Sequence, residues 1–156
     1  MSISDRIVVM RDGVIEQTGK PQEVYDNPVN LFVARFLGTP AINVFQGTIK
    51  DAVLYIGDVA ILDTAGVADQ EVYVGVRPEG LRVHDDGPLS CRFIRVEVMG
   101  RDVSIMSAHE ASLGATIRAI ISAKDSYDAA SGYIRFTLKP DKVFLFRKEA
   151  ETRIPM

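Results

Sequence analysis

The chain has 156 residues, of which 47% are hydrophobic and 25% charged. This composition supports one packed domain, or one domain with an appendage, and excludes both a multidomain enzyme and a disordered chain. The net charge of −3 argues against binding to nucleic acid or anionic lipid, because a weakly negative field repels phosphate groups.

The first predicted element is a β-hairpin. Arg6–Met10 and Val14–Thr18 flank Asp12-Gly13, a dipeptide that accepts the positive φ values of a tight hairpin turn. A short helix is predicted next, over Lys20–Asp26. A proline stands at its first turn, where no amide hydrogen is needed, and a glutamate in the same turn complements the helix dipole.

A second helix is predicted directly afterwards, with Asn27 as its N-cap, Pro28 at its first position and Gly38 as its stop. Asn30 and Arg35 lie on its polar face. We expect its apolar stripe to pack on the core of its own domain, with a partner-binding helix as the alternative. The stripe consists of five side chains at helical spacing: Val29, Phe32, Val33, Phe36 and Leu37.

From Val44 onward the sequence is mostly of β type, after a linker over Gly38–Ile42. Glycines at intervals of 9 or 10 residues predict turns between short strands, namely Gly38, Gly47, Gly57, Gly66 and Gly75. Short segments rich in β-branched residues predict a mainly β fold, a small OB-like barrel. The segments are Val53–Ile56, Val59–Leu62, Glu71–Val76, Cys91–Val98, Asp102–Met106, Thr116–Ile121 and Tyr133–Leu138.

No catalytic or metal centre is evident in the sequence. His84 and His109 are far apart, and the single Cys91 opens a predicted strand with no cation nearby to activate it. We expect a cytosolic chain in which only carboxylates could bind a metal. A phosphate-binding loop is excluded near Gly13–Lys20, because Val14 replaces its first glycine. Apolar runs such as Ile7–Met10 and Val143–Phe146 span four residues, against about 20 for a membrane helix.

The order of several segments resembles a known family. Ser4–Pro28 and Phe32–Gly38 resemble the last part of the ATPase domain of ABC-transporter subunits, in particular the maltose-importer type that serves sugar and glycerol-phosphate importers. Gly75–Arg82 resembles the signature of the TOBE domain, an OB-like barrel that these subunits carry. Val96–Gly100 and Val143–Phe146 match its strand-turn and closing-strand segments, so the resemblance covers nearly the whole chain.

The resemblance implies two parts: a C-terminal remnant of the ABC ATPase domain at residues 1–38, and a TOBE (MOP-like) regulatory domain at residues 39–156. The Walker A loop, the signature motif, the Walker B acid and the switch histidine are absent from the sequence, and we expect them upstream of Met1 in a longer parent subunit. No catalytic residue, metal ligand or cofactor is therefore assigned to this fragment. ATP and magnesium would be bound in the parent.

The resemblance also indicates candidate contact residues. Arg77, Pro78 and Glu79 are candidates for an interface or a regulatory ligand contact. The plainer alternative is a turn forced by Pro78, with Glu79 capping the next segment. Glu97 and Phe146 match positions that join two regulatory domains, and they are candidates for a dimer interface. The arginine pair at 92 and 95, and the basic pair at 147 and 148, are expected to be solvated, with binding of a small anion as the alternative.

The function implied by the resemblance is that of a non-catalytic regulatory and dimerisation module of an importer ATPase subunit. Its partners would be a second copy, the membrane permease subunits and a regulatory protein, at the cytoplasmic face of the membrane. The alternative is a stand-alone barrel that binds a small oxyanion or a sugar, and titration with molybdate, sulfate and sugars would separate the two. We expect apolar surface left by the missing ATPase part to be covered by self-association, by packing on the barrel, or to be lost to disorder at the N-terminus.

Overall fold

The computed structural model describes residues 6–156, so the first five residues of the predicted remnant, including Ser4 of the resemblance, lie outside the described residues. The N-terminal region, residues 6–38, begins with the predicted hairpin. Strand β1 (Ile7–Arg11) pairs with β2 (Val14–Gly19). Asp12 and Gly13 form the turn with φ values of 51° and 80°, so the turn chemistry predicted from the sequence is confirmed.

Two short helices follow the hairpin, α1 (Pro21–Asp26) and α2 (Leu31–Phe36). The start predicted for α2 is wrong. Its N-cap is Asn30, whose side-chain oxygen accepts a hydrogen bond of 2.9 Å from the backbone of Val33. This cap satisfies an amide that the first turn leaves free, and Asn27 ends α1 as its C-cap.

The buried face of α2 also differs from the predicted stripe. Its buried side chains are Leu31, Val33 and Ala34, whereas two members of the predicted stripe, Val29 and Phe36, are 43% and 61% exposed. The helix therefore presents one side to the barrel and another to the hairpin, and Phe36 projects outward.

Two antiparallel sheets form the barrel. The six-stranded sheet has the order β13-β12-β6-β3-β4-β5, and the five-stranded sheet the order β10-β9-β8-β11-β7. The strands of the six-stranded sheet are β3 (Asn43–Lys50), β4 (Val53–Ile56), β5 (Val59–Asp63), β6 (Gln70–Val76), β12 (Val143–Arg147) and β13 (Arg153–Ile154). Those of the five-stranded sheet are β7 (Leu81–Val83), β8 (Leu89–Met99), β9 (Asp102–Ala108), β10 (Ile117–Ser122) and β11 (Tyr133–Leu138).

The mainly β fold is confirmed, and all seven strands predicted from β-branched segments are present. The glycine spacing is only partly informative, because Gly47 and Gly75 lie inside β3 and β6 and not in turns. A Cβ atom on Gly47 would sit 2.6 Å from the Val74 side chain, and one on Gly75 would sit 2.9 Å from Ile42. Both glycines allow close packing within the barrel.

The main core lies between the two sheets and collects the inward-facing side chains of nearly every barrel strand. Strands of both sheets contribute through period-two alternation, as in β10, where three of six side chains face inward. The buried residues are Phe45, Ile49, Leu54, Ile56, Val72, Val74, Val76, Leu81, Leu89, Cys91, Val103, Ile105, Ile117, Ala119, Ile121, Ile134, Phe136, Val143, Leu145 and Ile154.

One buried side chain joins the two sheets at a point where no strand pairing does. Asn43, at the start of β3, donates from its amide to the carbonyl of Arg118 on β10 at 2.9 Å and accepts from the Arg118 backbone nitrogen at 2.9 Å. It also donates to the Val76 carbonyl. Because the Asn43 side chain is buried, the triple contact satisfies its amide and pairs backbone groups that strand pairing leaves free.

Candidate functional site

The residues Arg77-Pro78-Glu79 follow β6, where the chain leaves the six-stranded sheet. Pro78–Gly80 form a single 3-10 turn with proline first and an acidic residue behind it, so the turn expected from Pro78 is present. The Arg77 side chain, only 1% exposed, points away from this turn into the junction with the N-terminal region. We call this junction, formed by Arg77, Glu79 and Tyr25, the arginine clasp.

The Arg77 guanidinium binds the ends of both short helices. One terminal nitrogen donates to the carbonyls of Ala34 and Leu37 at 2.8 and 2.9 Å, and the other donates to the Tyr25 carbonyl at 2.8 Å. The last carbonyls of a helix have no partner within the helix. The guanidinium donates hydrogen bonds to these free carbonyls. Its positive charge also lies favourably at the negative end of the backbone dipoles.

The ring of Tyr25 completes the clasp. The Arg77 guanidinium carbon lies 3.9 Å from the ring centroid, and the Tyr25 hydroxyl donates a 2.6 Å hydrogen bond to Glu79. Burial, followed by this hydrogen bond, raises the pKa of Tyr25 well above its usual value. The phenol therefore stays protonated and keeps donating to the carboxylate, while stacking holds the planar guanidinium in place.

Burial lowers the pKa of Arg77, while Tyr25 and Glu79 act in the opposite direction. An arginine keeps its charge in proteins in spite of such a shift. Its Nε atom is buried and makes no hydrogen bond within the described part of the chain. The clasp thus contains a buried cation whose compensation comes from three carbonyls, the rings of Tyr25 and Phe144, and the carboxylates of Glu79 and Asp26.

A second connection, which no sequence pattern indicated, is made by the C-terminal segment at residues 147–154. The backbone nitrogen of Leu31 donates to the Glu151 carbonyl at 3.0 Å, and that of Arg153 donates to the Val29 carbonyl at 2.9 Å. The Arg153 guanidinium lies 4.6 Å from the Phe144 ring centroid. The backbone of this segment therefore pairs with β12 along one edge and with the chain between α1 and α2 along the other.

The structure corrects the role predicted for Phe146. Its side chain is fully buried in a small cluster with Leu31, Ala34, Ile42, Val44 and Phe144, so it has no exposed surface from which to contact a second copy. Its neighbours come from α2, the linker, β3 and β12. Phe146 is a contact between the N-terminal region and the barrel within one chain, because α2 covers it.

Glu97 is not brought together with the clasp. It lies on β8 at the outer face of the five-stranded sheet, with its side chain 43% exposed, and ion pairs of 3.4 Å join it to Arg95 and Arg118. The nearby tip of the β8–β9 hairpin exposes Val98 and Met99. Arg95 is thus paired and not simply solvated, and Glu97 remains accessible to a partner.

The other reactive residue types form no catalytic arrangement within the described part of the chain. Cys91 is 1% exposed, and burial raises the pKa of its thiol to about 12, which keeps it neutral and unreactive. His84 lies in an exposed loop, and burial lowers the pKa of His109. Among residues 6–156, no three His, Cys, Asp or Glu side chains are grouped as a metal site requires. Within the same residues, no helix has the length and apolarity needed to span a bilayer.

Comparison with known proteins gives relatives over the whole chain, although no family model matches. The sn-glycerol-3-phosphate import ATP-binding protein UgpC of Ruegeria sp. is 32% identical over 155 residues, which cover 99% of this chain and 43% of that protein. The oligosaccharides import ATP-binding protein MsmX of Bacillus subtilis is 34% identical over 125 residues, 69% of this chain and 34% of that protein.

A third relative, the spermidine/putrescine import ATP-binding protein PotA of Vibrio vulnificus, is 44% identical over 94 residues, which cover 54% of this chain and 24% of that protein. The chain therefore spans less than half the length of the curated relatives it matches. Among solved structures, the cytoplasmic molybdate-binding protein ModG aligns with a TM-score of 0.45 and 16% identity, over 66% of this chain and 94% of that one. A likeness at that level carries no argument about ligand.

Proposed function

The chain is homologous to part of the ATP-binding subunits of ABC importers, and on that premise we propose that it is their regulatory and dimerisation module, non-catalytic by itself. We place the boundary between an ATPase-derived part at 1–38 and a regulatory barrel at 39–156. The observation that carries the proposal is the arginine clasp, because it ties the barrel to the helices of the ATPase-like part through buried charged hydrogen bonds.

A barrel that only bound a ligand would not need a buried junction with the two helices. The clasp and the C-terminal segment bind the N-terminal region from two sides. We therefore expect the N-terminal region and the barrel to move together as one rigid body. In a complete subunit, the same junction would connect the state of the ATPase to the surface that the barrel presents. This mechanical connection suits a regulatory role better than a stand-alone ligand binder.

In the parent subunit, ATP and magnesium would be bound by the ATPase part and not by the residues of this chain. The partners of that subunit would be membrane permease subunits and a regulatory protein, with the barrel at the cytoplasmic face of the membrane. Sugars or related solutes are the expected cargo. The parent's ATPase activity can be assayed once this chain is joined to the missing part.

The proposed dimer surface is the outer face of β8 around Glu97. Sedimentation equilibrium of the 156-residue chain at micromolar concentration should give a dimer. Glu97→Lys should shift the population toward monomer, because the new cation would lie beside Arg95 and Arg118 and repel them. The matched control is Glu71→Lys, which makes the same charge change at an exposed position of β6 on the other sheet.

A monomer at all concentrations would contradict dimerisation by this chain, and equal effects of the two lysine variants would place the interface elsewhere. Phe146→Ala is not an interface test, because the side chain is buried under α2. A loss of dimer in that variant would instead report damage to the junction between the two regions.

A further inference from the structure

A cavity of about 410 Å³ lies between α2, the linker after it, and the loop before β10. It is separate from the arginine clasp, and it meets the outer face of β8 at Arg118, which pairs with Glu97. Its walls come from both regions of the chain. The polar lining consists of Arg35 from α2 and of Asn43, Ser112, Gly114, Thr116 and Arg118 from the barrel.

The charge of this lining has one sign. Arg35 and Arg118 are its ionisable side chains, and within residues 6–156 neither an aspartate nor a glutamate lines it. Arg118 is partly compensated by the Glu97 carboxylate at 3.4 Å and by a 2.9 Å hydrogen bond to Ser104. Arg35, in the last turn of α2, makes no side-chain hydrogen bond or ion pair with the described residues. The cavity therefore has uncompensated positive charge in a protein whose net charge is negative.

The wall opposite Arg35 is held in place by backbone hydrogen bonds. In the loop before β10, the Leu113 nitrogen donates to the Val44 carbonyl at 2.9 Å, and the Ala111 carbonyl accepts from Gln46 at 2.8 Å. Asn43 fixes the backbone of Arg118 in both directions. A site whose walls are fixed in advance loses little conformational entropy when a ligand binds.

Part of the lining is apolar. Pro40 and Ile42 of the linker and Leu113 of the loop lie in the same cavity as the two arginines. Guanidinium groups recognise phosphate and carboxylate oxygens through paired hydrogen bonds, and hydroxyls such as those of Ser112 and Thr116 add further donors. An apolar wall next to such donors favours a ligand with an organic part over a bare ion.

We propose that this cavity binds a small organic oxyanion, a phosphate- or carboxylate-bearing molecule, held between Arg35 of the N-terminal region and Arg118 of the barrel. The anion would join the two regions at a third point, beside the clasp and the C-terminal segment. This inference requires neither dimerisation nor ATPase activity, although Arg118 also pairs with Glu97 on the proposed dimer surface.

Isothermal titration of the unmodified chain at constant ionic strength tests the proposal, with phenyl phosphate as the main probe. We expect saturable binding of one molecule per chain, weaker binding of benzoate and of inorganic phosphate, and none of benzyl alcohol. Arg35→Gln should weaken the affinity for phenyl phosphate by about tenfold or more, because a charge-assisted contact is lost. Arg35→Lys should have an intermediate effect, since lysine keeps the charge without the paired geometry.

The matched control is Arg92→Gln, an exposed arginine on β8 that does not line the cavity, and its affinity should equal that of the unmodified chain. Arg35 is exposed at the end of a helix, so its substitution leaves the fold intact. Amide exchange in α2 should slow when phenyl phosphate is bound. Absence of saturable binding up to about 10 mM, equal weakening by Arg92→Gln, or equal binding of benzyl alcohol would overturn the proposal.

Discussion

The N-terminal region and the barrel reach stability in different ways. The barrel surrounds a continuous cluster of twenty buried side chains, whereas the hairpin and helices share a small cluster of Val9, Val24 and Val33. The hairpin also leaves apolar side chains in solvent, with Val14 and Ile15 63% and 58% exposed. A segment with so little buried apolar surface cannot offset the conformational entropy of its own ordering.

The difference shows that the N-terminal region depends on the barrel. Leu31 and Ala34 of α2 pack against the barrel cluster around Phe146, Arg77 binds the helix ends, and the C-terminal segment pairs with the chain between the helices. The face of α2 that packs on the barrel is formed by Leu31 and Ala34 and not by the predicted stripe, of which Val29 and Phe36 stay exposed. The outer face of the hairpin stays exposed. Four substitutions test this asymmetry, and their expected effects decrease from the barrel core to the cap of α2.

Phe136→Ala should have the largest effect, because it removes a fully buried ring from the centre of the barrel core. We expect the free energy of unfolding to fall by about 3–5 kcal/mol, measured by urea denaturation. The matched control is Phe36→Ala in the N-terminal region, where the ring is 61% exposed and the change should stay within about 0.5 kcal/mol. Similar losses in the two variants would contradict the asymmetry.

Arg77→Met should release the N-terminal region without unfolding the barrel. Three carbonyls lose their donor, and leaving buried acceptors unpaired should cost about 2–4 kcal/mol of local stability. Hydrogen exchange should show lower protection at residues 21–37 and unchanged protection in the barrel strands. Arg92→Met, at an exposed position, is the control. A uniform loss of protection along the chain would mean that the two regions unfold as one unit.

Asn43→Ala should weaken the barrel where its two sheets meet. The substitution removes three hydrogen bonds to the backbone of Arg118 and Val76, and we expect a loss of about 1–3 kcal/mol. Thermal unfolding followed by circular dichroism measures it. Unlike Arg77→Met, this variant should raise exchange in β10 and leave α1 protected. An unchanged melting temperature would show that water replaces the amide.

Asn30→Ala should have the smallest effect, a loss of about 1 kcal/mol within α2, because the Val33 amide loses its cap. The control is Asn27→Ala, which should be close to neutral since that exposed side chain caps nothing in α2. Exchange rates of the first amides of α2 distinguish the two. A larger effect at Asn27 than at Asn30 would indicate that Asn27 is the N-cap of α2, as the sequence predicts.

Local patterns in the sequence are enough to predict the elements whose stability is local. The Asp12-Gly13 turn and the β-branched strands are predictable because nearest-neighbour conformational preferences decide them. Spacing assigns Gly47 and Gly75 to turns, yet their role depends on how closely Val74 and Ile42 approach from elsewhere in the chain. Spacing alone carries no information about such approaches.

The candidate site shows the same limit. Arg77-Pro78-Glu79 stands out in the sequence only through the family resemblance, and a charged residue is normally expected at the surface. Its partners Tyr25 and Leu37 lie 52 and 40 residues away, so no local pattern could pair them. Phe146 was predicted at a subunit interface through the family resemblance, and no local pattern could show its burial, because the helix that covers it comes from the other end of the chain.

The C-terminal segment has a consequence for the order in which the molecule is made. Arg153 contacts the carbonyl of Pro28, a residue 125 positions earlier in the chain. At synthesis rates of about 5–20 residues per second, this contact becomes available about 6–25 s after Pro28 is added. The junction between the two regions is therefore completed only after the barrel has been synthesised, and until then the clasp is the earlier of the two connections available to the helices.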